Sequence, residues 1–168
     1  ETADQIGCFD NTGVFISEVC AVNEIKSGEN DWVELHNGSD QSIDLTGWTL
    51  SDGIDSTTPY TFSGETIGAG DYLVIECTNS SVKQGAGIAP FSISASVETL
   101  VLKNAEGTLV DAFDSGVLTP EITSGRLEGD TTTARVFFQN PTRDTENDTD
   151  ITTGVSPQPT FSDLTLYH

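Results

Sequence analysis

Short apolar runs recur along the chain, each followed by turn chemistry. The runs are "VFISEVCAV" (14–22), "DWVELHN" (31–37), "SIDLTGWTLSD" (42–52), "DYLVIECT" (71–78), "VETLVLKN" (97–104), "GTLVDAF" (107–113) and "ARVFFQN" (134–140). They are rich in Val, Ile, Thr, Phe and Tyr, and the turns between them fall at roughly ten-residue spacing, the pattern of an antiparallel sandwich or barrel. No stretch has the 3.6-residue period of a long helix. Residues 53–70 are polar, with "PYTF" (59–62) expected as a short edge strand, and 83–91 is expected to be a long Gly-rich loop. The expected fold class is all-β, an antiparallel β-sandwich.

The ends carry no such period. Residues 1–13 are expected to be a leader, 14–147 the domain, and 148–160 a Thr/Asp/Pro linker. Residues 161–168 regain alternation and are expected to be the first strand of a following domain; the other reading is a terminal strand that completes the first sheet. The absence of Met and the start at Glu1 lead to the expectation of a piece of a longer chain.

Alternation also assigns faces. In 31–37, Val33 and Leu35 point one way and Trp32, Glu34 and His36 the other. A sandwich wets one face of each sheet, so Trp32 is expected to be at least half exposed, and Trp32, Glu34 and His36 form the candidate binding face. Trp48 follows Gly47 between Leu45 and Leu50 and is expected to fill the core.

Charge narrows the function classes. There are 27 acidic residues against six basic ones, for a net charge of −21. Such a surface repels nucleic-acid phosphates and anionic headgroups, so direct nucleic-acid binding is not expected. No apolar run is long enough to span a bilayer, so membrane insertion is not expected either. Catalysis is not expected: the only internal histidine is His36, no G-x-S-x-G occurs, and no phosphate-binding glycine motif has its strand–loop–helix context. Cys8, Cys20 and Cys77 leave three pairings open should one disulfide form outside the cell.

The clearer ion-binding pattern is "RDTENDTD", which places Asp144, Glu146, Asp148 and Asp150 at alternating positions as candidate calcium ligands. Thr149 and Val155 stand where an EF-hand loop wants Gly and Glu, so a solvated acidic linker is the plainer reading and no cofactor is required. Asp52 and Asp55 are a weaker candidate.

The order "VFISEV", "DWVELHNGSDQSIDLTGWTLSD", "IGAGDYLVI", "ETLVLKNAEGTLVDAF", "GRLEGD", "NPTRDTEN" resembles the lamin tail domain, from about Val14 to Asn147. One departure is "NPTRDTEN", where that family often has Pro-Gly. The resemblance implies an immunoglobulin-like sandwich with Trp48 in its core, and it is to the bacterial, extracellular type, whose domains are modules of secreted or surface proteins. The expected function is a non-catalytic extracellular or cell-surface module. It would position, space or tether other domains of the same polypeptide, or bind a protein or glycan partner. The alternative is a carbohydrate-binding accessory module.

Overall fold

The computed structural model describes residues 12–21, 29–82, 85–119, 122–127 and 135–147, with 7–8 and 151–152 as backbone only. The expected strand at 161–168 lies outside the described residues, as does most of the expected leader and linker. The strands in chain order are β1 (Gly7–Cys8), β2 (Val14–Cys20), β3 (Asp31–Asn37), β4 (Ile43–Asp44), β5 (Thr49–Ser51), β6 (Tyr60–Thr61), β7 (Thr66–Ile67), β8 (Tyr72–Cys77), β9 (Ile88–Ala89), β10 (Thr99–Lys103), β11 (Leu109–Asp114), β12 (Thr123–Gly125), β13 (Val136–Phe138) and β14 (Ile151–Thr152). The described residues contain no helix.

Two main sheets form, in the orders β1-β11-β10-β5-β6 and β14-β13-β12-β2-β3-β8-β9, with a small β4-β7 ribbon. All pairings are antiparallel except β8 with β9. One apolar cluster draws on both sheets: Val33, Leu35 and Ile75 from the larger, Leu50, Leu100, Leu102 and Phe113 from the smaller. This is the layered arrangement of a β-sandwich, in which side chains from two inner faces share one core.

The long strands form at the apolar runs rich in Val, Ile, Leu and aromatic residues, and in β3 the alternation turns Val33 and Leu35 to the core. The strands that these runs do not reveal are short. β7, β9 and β12 have two or three residues each, too few to show a period. β1 falls within the expected leader and β14 within the expected linker, each pairing with a strand of the sandwich.

The Gly47–Trp48 step shows why a glycine is placed there. Gly47 has φ +82°, a left-handed conformation that costs other residues a steric clash. It lets Trp48 donate its N–H to the Leu45 carbonyl while its own carbonyl accepts from Phe62. Trp48 is 6% exposed and lies in the core cluster.

Candidate functional site

The polar centre of the molecule grows from a bulge. Along β2 and β3 the register runs Ile16 opposite Leu35, then jumps to Glu18 opposite Glu34. Ser17 is the extra residue, and a bulge leaves backbone groups without ladder partners. Buried backbone groups must be satisfied, and side chains from distant elements do so here. Asp111 on β11 accepts the Ile16 N–H at Oδ2 (2.8 Å). The Ser17 carbonyl accepts the Arg126 N–H (2.9 Å) and the Asn147 Nδ2–H (2.9 Å).

Arg126 follows β12 and is 1% exposed. Its Nη1 donates to Asp111 Oδ2 at 2.6 Å and its Nη2 to Asp111 Oδ1 at 2.9 Å, a bidentate pair with both side chains fully buried. Nη1 also donates to the Ile16 carbonyl, and the guanidinium stacks 5.0 Å from the Phe113 ring centre. One ion pair thus joins the end of β12, the bulge in β2 and the opposite sheet. Gly125 makes the approach feasible: a Cβ there would stand 2.1 Å from the Ser17 carbonyl oxygen. Gly125→Ala should therefore force the backbone apart and cost about 1–3 kcal/mol, read as a lower urea midpoint at unchanged slope.

Two glutamates lie on the outer face beside the bulge. Glu18 and Glu34 are cross-strand neighbours and both are 0% exposed. Glu34 accepts Ser17 Oγ–H at Oε1 (2.7 Å) and the Asp144 backbone N–H at Oε2 (2.6 Å). Glu18 accepts the Thr142 hydroxyl (2.8 Å), the Thr142 backbone N–H (3.1 Å) and the Thr123 hydroxyl. The acceptors clamp segment 141–147 onto β2 and β3. The departure from Pro-Gly falls at Asp144, whose φ of +63° is the left-handed region that glycine favours. Aspartate is among the few side chains that tolerate it.

This strap corrects the expected wet face. Trp32, Glu34 and His36 do share a side of β3, but they are 5%, 0% and 6% exposed, not half exposed. The reason is a cover that alternation cannot reveal. Arg143 of the strap lies over the Trp32 ring, 5.9 Å from its centre, and its Nη2 pairs with Glu76 at 2.9 Å. His36 packs between Phe15 and Tyr72, with ring centres 5.3 and 4.3 Å away. Beside it is a small pocket lined by Phe15, Ser17, His36, Tyr72, Arg126 and Asn147.

Burial sets the electrostatics. It pushes Glu34 from an ordinary 4.5 up to about 7, against the Ser17 and Asp144 hydrogen bonds, and the nearby Glu18 and Asp144 charges raise it further. Burial also raises Glu18, opposed by bonds from Thr123 and Thr142. It lowers His36, opposed by the Asp71 and Glu146 carboxylates, which favours the neutral imidazole. The sign for stability follows from linkage. An acid raised in the folded state stabilises fully below its unfolded value, and that stability is lost as pH rises through the folded value. Glu34's contribution to stability should fall by up to about 3 kcal/mol between pH 4.5 and about 7. Glu34→Gln should flatten that slope in urea melts taken across the range.

The other expected site residues are placed as follows. Asp144 spends its backbone N–H on Glu34, while Asp148 and Asp150 lie outside the described residues. Among the described residues no three His, Cys, Asp or Glu group to hold a metal ion. Cys20 and Cys77 are buried. Cys20 stands opposite Trp32 and Cys77 opposite Asp31, so they flank adjacent β3 residues that point to opposite faces. Burial drives the Cys77 thiol further from ionising, which makes it a core side chain and not a nucleophile.

The family model of the lamin tail domain matches residues 9–116, well over half of the chain. The chain belongs to the lamin tail domain family. Its fold is the family's immunoglobulin-like sandwich. The match takes in the β2 bulge, β3 and Asp111, whereas Arg126 and the strap lie beyond its end. No curated protein matches this chain. Sequence reasoning missed Glu18, Asp111, Arg126 and Asn147 as the residues that organise the centre. The one signal for them was the slip in β2 from Val14 and Ile16 to Val19, a break in period two that marks a bulge.

Proposed function

We propose that this lamin tail domain is a non-catalytic module acting outside the cell. There it positions, spaces or tethers neighbouring domains of the same polypeptide, or binds a protein partner. One observation carries the reading: the groups with chemical potential are committed to holding the sandwich together. The buried Arg126–Asp111 pair fixes the bulge, Glu18 and Glu34 clamp the strap, and His36 is packed between two rings. Such interlocking of distant elements suits a rigid spacer. A glycan-binding role would need a broad exposed aromatic face for sugar stacking, whereas Trp32 is 5% exposed and its ring stands beside the Glu76 carboxylate, a setting that suits a cation better than a neutral sugar. The net charge of −21 weighs against direct contact with nucleic acid.

The test replaces residues 14–147 in the full-length protein with an unrelated sandwich of equal end-to-end length. A spacer is interchangeable, so location and activity of the neighbouring domains should survive. Their loss would assign a specific partner to this domain, and cell fractionation would show directly whether the product is exported.

A further inference from the structure

We propose that Trp32 and Glu76 form a seat for a guanidinium group of a basic partner protein, a seat that Arg143 fills in the partner's absence. The inference deepens the partner-binding half of the proposed function and rests on it. Trp32 and Glu76 are directly opposite each other on β3 and β8, so the ring and the carboxylate are held side by side by a continuous six-pair ladder. Asn30 Nδ2 donates to Glu76 Oε2 at 2.8 Å, which fixes one carboxylate oxygen and turns the other, Oε1, toward Arg143. A planar cation over an indole face with a carboxylate at its edge satisfies both the ring quadrupole and the guanidinium donors.

The present occupant differs in kind from Arg126, the other arginine of the centre. Arg126 is fully buried and bidentate, whereas the Arg143 side chain is 44% exposed and that of Glu76 is 37% exposed. Arg143 touches the seat from a strap whose described bonds to the body run mainly through Thr142, Asp144 and Asn147. The guanidinium can therefore leave without unclamping the strap. The rigid strands supply the receptor and a solvent-facing side chain supplies the ligand, so an arginine presented by another molecule competes on equal chemistry. Beside the seat stand Glu34, two residues along β3 on the same face as Trp32, and Asp144, which follows Arg143 in the strap. With a net charge of −21 the field draws in cationic partners.

The two tryptophans give a clean readout, because each indole N–H yields its own signal in a ¹⁵N–¹H spectrum. The probe is acetyl-Gly-Arg-Gly-amide, with its citrulline counterpart as a neutral control of the same shape. In the intact 168-residue chain carrying Arg143→Gln, the Trp32 signal should shift saturably with the arginine peptide while Trp48 stays still. Binding to the native chain should be about tenfold weaker, as expected if Arg143 holds the seat about nine-tenths of the time. Arg143→Met should reproduce the gain, and Glu76→Gln added to either should remove it. Equal binding to native and variant chains, equal response to citrulline, or indifference to Glu76→Gln would overturn the seat. Failure here with success of the domain replacement leaves the spacer role standing and removes only the seat.

Discussion

Arg126→Met is expected to destabilise the domain by about 3–5 kcal/mol, because it strands a buried carboxylate. Asp111 is 0% exposed, and its only formal counter-charge among the described residues is the guanidinium of Arg126. The loss should appear in urea or thermal unfolding. For a chain of this size, each kcal/mol is worth roughly 2–4 °C in the melting temperature. Adding Asp111→Asn should recover part of the loss, since it removes the unpaired charge while keeping an acceptor for the Ile16 N–H. A double-mutant cycle therefore separates the ion pair from the bulge contacts. A single variant that melts with the native chain would show that the pair does not hold the sheets together.

Trp48→Ala should cost a similar amount, about 3–5 kcal/mol, for a different reason. The side chain sits in the core cluster with Leu45, Leu50 and Phe62. Truncation removes the buried indole and leaves a cavity that the short β5 and the turn at Gly47 cannot close. Trp48→Phe should cost less, because it restores much of the volume, so the two variants together measure packing apart from the turn. An unchanged melting temperature in Trp48→Ala would contradict the core assignment.

Physics explains which parts of the molecule can be read from the sequence. The run 31–37 alternates and becomes β3, and the apolar run 71–78, bounded by turn residues and rich in Val, Ile and Tyr, becomes β8. The sandwich class was legible for the same reason. β9 and β12 were not, because two- and three-residue strands are set by neighbours and carry no period of their own. The centre was harder still. Arg126 lies 15 residues from Asp111, and Glu18 lies 124 from Thr142, so nothing local links them.

Trp32 is the instructive miss. Its face follows from alternation, but its exposure depends on what covers that face, and the cover comes from residues 141–147, which have no apolar period. The strap is held by backbone N–H groups on buried carboxylates, and acidic residues in strands read as surface. Only the slip between Ile16 and Val19 signals that β2 departs from a regular strand there, and it became interpretable once Glu18 and Glu34 were seen side by side.

The central claim is that the strap closes the outer face of β2 and β3 by bonding to Glu18 and Glu34. Amide hydrogen exchange at Thr142 and Asp144, corrected for intrinsic rates, tests it most directly. The account predicts protection at both amides well above that of the exposed turn amide of Ala105, with Asp144 losing it in Glu34→Ala. Exchange of Thr142 and Asp144 at unprotected loop rates in the native chain would contradict it.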